Sequence, residues 1–141
     1  MTGPTSSFFP LGIQPPEQLP AFYGSSLWLN DGLGMRYRFQ IYDIRQRNFG
    51  YDVVYAFARL NTITQEILYV GKADDLDKRI GSHEKLPEAL RRGADYLLVH
   101  RPGLLDRVSY LDAERRLIAK YSPPLNKQHN PLWELVEALS G

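Results

Sequence analysis

The stretch YVGKADDLDKRIGSH, residues 69–83, decides the predicted fold. It opens at the end of an apolar run typical of a strand, and Gly71 predicts a turn where that run ends. Asp74 or Asp75 suits the N-cap of a helix, because a carboxylate accepts hydrogen bonds from the free amides of a first turn. Apolar residues one helical turn apart follow. The stretch therefore predicts a strand, a turn and a helix in succession.

Four segments have the composition and period-two alternation of strands. Residues 35–44 and 52–60 precede the opening stretch, residues 66–70 lead into it, and residues 95–100 follow it. The short turn-like segment between residues 60 and 66 predicts that the second and third strands form a hairpin. The sheet is therefore expected to be small and mainly antiparallel.

Helical spacing of apolar residues predicts four helices, which contain residues 76–83, 86–92, 105–121 and 131–139. Asn130 is expected to cap the last of them, with Pro131 in its first turn. We also expect Trp133, Val136 and Leu139 to dock that helix on the core. The predicted fold class is α/β, of the α+β type: a mainly antiparallel sheet flanked by helices.

The N-terminal part differs in composition from the rest. Proline and glycine recur through residues 1–24, and proline fixes φ and lacks an amide donor, which disfavours helices and central strands. The segment is also too apolar for a free linker. We therefore expect residues 1–34 to be an irregular arm packed on the domain, and residues 35–141 to be a single domain with an extra first strand.

Composition excludes several classes of protein. Cysteine is absent, which excludes disulfides and thiolate zinc sites, and the three histidines make a histidine-only metal site improbable. No apolar run approaches ~20 residues, and no basic segment precedes an apolar one at the N-terminus. We therefore expect a cytoplasmic protein with no membrane partner and no signal peptide.

Charge gives a mixed indication. The net charge of +1 is weak for a protein that binds nucleic acid. Residues 91–130 nevertheless contain eight arginines and lysines against four acidic residues. From charge alone, this excess fits a basic binding face and an ordinary solvated helix surface equally well.

Groups that can handle a phosphate are concentrated in the opening stretch. Lys72, Arg79 and His83 follow Tyr69 closely, and hydrolysis of a phosphodiester needs charge neutralised on phosphorus and a base for water. Glu114 falls in the apolar stripe of the long helix, where a carboxylate is costly unless it is paired or binds a metal. A salt bridge with Arg79 and a metal site both remain open at this point.

The residues resemble the GIY-YIG endonuclease family. The resemblance covers about residues 52–127, and the second tripeptide with its lysine looks most like the incision domain of the bacterial excision-repair nuclease. The matching segments are Val53-Val54-Tyr55, Tyr69-Val70-Gly71, LDKRIGSH at residues 76–83, Glu114 with the residues after it, and Pro123-Pro124-Leu125-Asn126.

The resemblance implies a metal-dependent endonuclease that hydrolyses phosphodiester bonds of DNA. It makes Glu114 the ligand of Mg²⁺ or Mn²⁺ and Arg79 the residue that stabilises the negative charge of the transition state. It makes Tyr55 the group that activates water. It gives Tyr69, Lys72 and His83 positioning roles, and Asn126 ties the loop after the long helix to the site. Branched and damaged DNA are both compatible substrates, and a homodimer or a separate DNA-binding partner protein would suit such a small enzyme.

Two other hypotheses stay open. A catalytically degenerate member of the same fold would bind nucleic acid or protein without cutting, and an unrelated α/β domain would use these residues structurally. The nuclease hypothesis requires Tyr55, Tyr69, Arg79 and Glu114 to open on one concave surface.

Overall fold

Five antiparallel strands and, among the described residues, four helices form an α+β fold. The structure is a computed structural model that describes residues 24–103 and 108–140. The strands are β1 (Ser26–Asn30), β2 (Arg36–Asp43), β3 (Tyr51–Leu60), β4 (Gln65–Asp75) and β5 (Tyr96–His100). The helices are α1 (Leu76–Gly81), α2 (Leu86–Arg91), α3 (Tyr110–Tyr121) and α4 (Pro131–Ser140).

The sheet has the order β1-β2-β5-β3-β4, so the last strand of the chain lies at its centre. β3 and β4 form the predicted hairpin and make up one side of the sheet, with β4 at the edge. β5 then pairs with β2 and β3, and in this register Val99 faces Gln40 on one side and Tyr55 on the other. The mainly antiparallel prediction is confirmed.

Alternating residues of the strands build a core on each face of the sheet. One core contains Tyr37, Phe39 and Ile41 of β2 and packs against α3 through Ala113, Leu117 and Ile118. The other contains Tyr55 and Phe57 of β3, with Leu76 and Ala89 from the first two helices. The candidate site therefore has α1 on one side of the sheet and α3 on the other.

β4 is longer than predicted. The strand does not end at Gly71 but continues through residues 72–75 and passes directly into α1. Its pairing with β3 continues as well, since Gly71 faces Tyr55 and Asp75 faces Tyr51. The predicted turn is therefore wrong. Asp75 is the N-cap, as one of the two predicted alternatives, and accepts a hydrogen bond from the Lys78 amide.

Two helices differ from the prediction. α3 begins at Tyr110 rather than residue 105, because Ser109 is extended and its side chain caps the helix; residues 104–107 lie outside the described part. In α4, Asn130 accepts the predicted capping bond from the Leu132 amide. The prediction that Val136 and Leu139 dock α4 on the core is wrong, because these residues are 49 % and 79 % exposed.

β1 lies inside the segment predicted to be an irregular arm, so that prediction is wrong for residues 26–30. β1 pairs with β2 along its whole length. Residues 1–23 lie outside the described part. The chain turns between the two strands at Asp31, whose buried carboxylate accepts hydrogen bonds from the Leu33 and Met35 amides and from the Tyr37 hydroxyl.

Arg116 of α3 completes this arrangement with an ion pair to Asp31 at 3.3 Å. Asp31 thus connects the β1–β2 turn to the helix that carries Glu114. None of the helices that the structure describes has the length and apolar character required to cross a membrane.

We predict that Asp31→Ala lowers the free energy of unfolding by about 3–5 kcal/mol, because it leaves buried donors and the Arg116 charge without an acceptor. Urea denaturation of the purified protein measures the change. The matched control is Glu66→Ala, which removes a carboxylate from the exposed ion pair with Arg59 and should change stability by less than about 1 kcal/mol. Equal effects of the two substitutions would contradict the anchoring role.

Candidate functional site

The predicted site residues lie around β4 and on both faces of the sheet beside it. β3 and β4 supply the two tyrosines and the lysine, α1 and the turn after it supply the arginine and the histidine, and α3 with its following loop supplies the rest. In chain order these residues are Tyr55, Tyr69, Lys72, Arg79, His83, Glu114 and Asn126.

A hydrogen bond and close ring contacts connect the histidine and both tyrosines. The Lys85 amide donates to Nδ1 of His83 at 3.0 Å, so the neutral ring carries its proton on Nε2. That nitrogen lies 2.6 Å from the Tyr55 hydroxyl and donates to its oxygen. The ring centre of Tyr69 lies 6.2 Å from that of Tyr55 and 5.0 Å from that of His83. Tyr69 therefore packs against a hydrogen-bonded pair.

The two tyrosines differ in ionisation. Burial raises the pKa of Tyr55 far above its ordinary value, and the negative charge that Tyr69 would carry when ionised raises it further. Burial also raises the pKa of Tyr69, but the positive charge of Arg79 opposes the rise. Tyr69 is therefore the hydroxyl of this pair from which a proton is more easily removed.

The two tyrosines also differ in their exposure to solvent. Tyr55 has no exposed surface, whereas Tyr69 is only partly buried and lines an open cavity. A side chain that is fully covered does not contact a water molecule at the surface. The burial of Tyr55 thus speaks against the direct role in water activation that the sequence assigned to it.

Gly71 makes the close packing of the tyrosines possible. A Cβ atom at this position would lie 2.6 Å from the Tyr55 hydroxyl oxygen and 2.8 Å from a ring carbon of Tyr69. Such distances are well inside van der Waals contact, so any side chain here would displace the hydroxyls. The glycine is required for close approach of the rings and not for the turn that the sequence predicted.

His83 is buried and stays uncharged at neutral pH. α1 ends at Gly81 and Ser82 is its C-cap, so His83 lies in the turn beyond the helix rather than one helical turn after Arg79. Its ring contacts Tyr55, Phe57 and Tyr69 edge-on. Burial lowers its pKa to about 4, and the nearby positive charge of Arg79 lowers it further.

Glu114 opens on the same cavity as Tyr69. The cavity has a volume of about 240 Å³, and Asn126 and His129 also line it. Burial raises the pKa of Glu114, while the positive charges of Lys72 and His129 act against this rise. Within the described part of the chain, no salt bridge to this carboxylate is found.

Arg79 forms an ion pair with Glu84. The salt bridge between Arg79 and Glu114, one of the two alternatives that the sequence left open, is not formed. Two of its nitrogens lie 3.1 and 3.4 Å from the Glu84 carboxylate. This hydrogen bonding lowers the pKa of Glu84 to about 2. Two-thirds of the Glu84 side chain is exposed, so solvent weakens the pair and a stronger anion can replace the carboxylate.

The requirement for one concave surface is met in part. Tyr69 and Glu114 share a cavity, and Lys72 and Arg79 line a second groove at the end of β4 and the start of α1. The charges of that groove act on the cavity, since Lys72 influences Glu114 and Arg79 influences Tyr69. Tyr55 is buried beside Tyr69, and it contacts Tyr69 but does not itself line the cavity.

Asn126 ties the loop after α3 to β4. Its side-chain amide donates to the Val70 carbonyl and accepts from the Val70 amide, both at 2.8 Å. The Leu125 amide also donates to the Leu68 carbonyl, at a point where the register between β3 and β4 shifts by one residue. The loop thereby covers the free edge of β4 and holds Tyr69 beside α3.

The residues fit one kind of metal ion. No group of three or more histidine and acidic residues suited to a metal is found in residues 24–103 and 108–140. Mg²⁺, however, commonly binds one or two carboxylates and keeps waters and substrate phosphates as its other ligands. Glu114, half-buried beside an open cavity and without a salt bridge to any described residue, fits that pattern.

Two residues of the site were not predicted. Glu84 forms the ion pair with Arg79. The sequence signal that could have identified it is an acidic residue directly after His83. His129 lines the cavity and acts on Glu114, but it lies in a turn with a positive φ of 61° that no periodic pattern marks.

The chain matches no protein-family model, no curated protein and no solved structure. A functional assignment therefore depends on the chemistry and geometry of the residues described above.

The low pKa of His83 predicts a loss of stability in acid. The unfolded chain binds a proton here near the ordinary pKa of 6.5 and the folded protein only near 4, so the free energy of unfolding falls as pH is lowered through this window. His83 should contribute about 2–3 kcal/mol of this fall. Urea denaturation between pH 4 and 7 measures it.

Two variants act as controls for each other. His83→Asn can accept the Lys85 amide and His83→Gln can donate to Tyr55, and neither residue titrates. Both should flatten the acid-side slope relative to the wild type. A slope that both variants leave unchanged would show that His83 is not the titrating group.

Proposed function

We propose that this chain is a metal-dependent endonuclease of the GIY-YIG type that hydrolyses phosphodiester bonds of DNA. The observation that carries the proposal is the position of Tyr69. Tyr69 packs against the hydrogen-bonded pair of Tyr55 and His83, and it lines the same cavity as Glu114, for which no salt-bridge partner is found among the described residues. A base and a carboxylate suited to a divalent ion, facing each other across a cavity, are what hydrolysis of a phosphodiester needs.

Glu114 is the metal ligand in this proposal. Mg²⁺ or Mn²⁺ bound there would neutralise charge on the scissile phosphate and on the leaving oxygen. Asn126 and the loop covering β4 fix the distance between α3 and the strand, which sets the position of Glu114 relative to Tyr69.

Tyr69 takes the role of base. In its ionised form it removes a proton from a water molecule whose oxygen attacks phosphorus, and the bond from phosphorus to the leaving oxygen breaks. The leaving oxygen then takes a proton from solvent. Tyr55 and His83 act as positioning residues, because they are hydrogen-bonded to each other and their rings pack against Tyr69.

Arg79 and Lys72 stabilise the negative charge that builds up on the phosphate. In the free protein Arg79 is held by Glu84, so substrate binding exchanges an exposed carboxylate for a phosphate. Arginine suits this exchange because its fork of donors matches both groups.

Removing either central charge should abolish cutting. We expect Glu114→Gln and Arg79→Ala each to lower the single-turnover cleavage rate at least ~100-fold, the magnitude typical for loss of one preorganised transition-state contact. Supercoiled, branched and single-stranded DNA are incubated with Mg²⁺ or Mn²⁺ at low salt, since weakly charged proteins release DNA at higher salt.

The matched controls are Glu137→Gln on the exposed face of α4 and Arg59→Ala on β3, which should cut at the wild-type rate. Chelation of the metal should stop cutting in all active forms. If the wild type binds these DNAs and cuts none of them, the degenerate binding module replaces the nuclease.

The pKa of Tyr69 predicts how the rate depends on pH. Because that pKa is raised, only a small fraction of Tyr69 is ionised at pH 7, and the fraction grows about tenfold per pH unit below the pKa. The single-turnover rate of the wild type should therefore rise steadily from pH 6.5 to 9. Tyr69→Phe should be slow at every pH, and Tyr55→Phe should retain the rise at a lower rate. A Tyr55→Phe variant as inactive as Tyr69→Phe would reverse the roles of the two tyrosines.

A further inference from the structure

Another groove, separate from the one lined by Lys72 and Arg79, lies on the sheet away from the candidate site. It has a volume of about 320 Å³ and is lined by side chains of β1, β2 and β5 and by residues that follow β5. We call it the arginine groove and define it by Trp28, Arg36, Arg38, Gln40 and Arg101.

The arginine groove is on the same face of the sheet as Tyr55. Gln40 pairs with Val99, which pairs with Tyr55, and side chains of paired residues point to the same face. Arg36 and Arg38 are even steps from Gln40 along β2 and share that face. From β4 to β2 there are three strand spacings, about 14 Å in all. Tyr69 is level with Tyr42 of β2 through the paired residues of β3 and β5, and Arg38 lies four residues, about 13 Å, further along that strand. An extended nucleic-acid strand of a few nucleotides spans the resulting distance of about 19 Å.

The positive charge of the groove is uncompensated. No acidic residue lines it, and within the described residues no carboxylate pairs with Arg36, Arg38 or Arg101. Arg101 is held by neutral acceptors, the side chains of Gln40, Tyr42 and Asn48 and a backbone carbonyl. Its charge is therefore fixed in place and remains available to an anion.

Arginines elsewhere are arranged differently. Arg47, Arg59 and Arg116 each lie within 3.3 Å of a carboxylate. Arg91 and Arg92 share Glu88. Among the described residues, the fold thus pairs most arginines with carboxylates but leaves three together on one open face, which indicates a polyanionic ligand.

An exposed aromatic ring completes the groove. Trp28 is 53 % exposed, and the Arg36 guanidinium lies 4.7 Å from the centre of its ring. Trp28 pairs with Arg38 across β1 and β2, so the ring and both guanidiniums stand side by side. Aromatic rings beside cations on an open surface bind unpaired bases by stacking, while the cations follow the phosphates.

We propose that the arginine groove binds an unpaired nucleic-acid strand and leads it toward the Tyr69–Glu114 cavity. Bases within a duplex are already stacked on each other and are not available to Trp28, which favours a single strand over a double helix. This inference builds on the proposed function, since it names the unpaired part of the substrate that the nuclease would cut beside.

The test measures binding separately from cutting. Fluorescence anisotropy of a labelled twenty-nucleotide oligothymidylate, with metal chelated and at low salt, gives the affinity of the full chain. Trp28→Ala should weaken binding roughly 5- to 100-fold, as loss of one stacked base does. Arg36→Gln with Arg38→Gln should weaken it and reduce the slope of log affinity against log salt by about 1.4.

The control uses arginines that are exposed and paired elsewhere. Arg59→Gln combined with Arg91→Gln removes the same two charges as the double groove variant and should bind the oligonucleotide like the wild type. An equal loss in this control, or wild-type affinity in both groove variants, would overturn the proposal. Tighter binding of a blunt duplex than of the oligonucleotide, or equally effective competition by polyglutamate, would do the same.

The two proposals fail in different ways. A wild type that binds through the groove but never cuts would leave the groove standing and remove the nuclease. A wild type that cuts duplex DNA without binding the oligonucleotide would do the opposite.

Discussion

The contact between Tyr55 and Gly71 across the β3–β4 hairpin is the constraint on which the rest of the site depends. The phenol lies so close to the β4 backbone that only a residue without Cβ fits there. This contact fixes the Tyr55 hydroxyl between His83 and Tyr69. It also keeps β4 paired with β3 as far as Asp75, which caps α1 and so determines where Arg79 emerges.

Charge in this protein is informative in its distribution and not in its total. The basic excess of residues 91–130 is partly neutralised, because Arg91, Arg92 and Arg116 are paired with carboxylates. Among the described residues, two arginines without a carboxylate partner lie on β2, outside the segment in which a count along the sequence found the excess. Ion pairs join residues far apart in the chain, as Arg116 and Asp31 are, so a charge count along a segment does not predict them.

The sequence predicted the elements with strong periodicity and missed those set by tertiary contacts. Alternation identified β2 and β3, and helical spacing identified α2 within one residue. β1 was missed because its few residues follow a proline-rich segment, and its pairing with β2 depends on a turn held by Asp31. Gly71 was interpreted as a turn, since a sequence does not show that an aromatic ring from the neighbouring strand needs the space.

Among the site residues, the sequence could not predict how Tyr55, His83 and Tyr69 are arranged, or which tyrosine is open to the cavity. Whether a tyrosine is exposed depends on what packs over it, and in this fold Tyr55 is covered whereas Tyr69 remains open. Glu114 shows the complementary case. A half-buried carboxylate without a partner in the described chain lowers stability, and Arg79, the partner that the sequence allowed, is paired with Glu84 instead. A fold selected for stability alone would give Glu114 a partner. In the proposed function, this separation leaves Glu114 to hold a cation and Arg79 to exchange its exposed partner for a phosphate, and a perturbed group beside a cavity is a mark of a functional site.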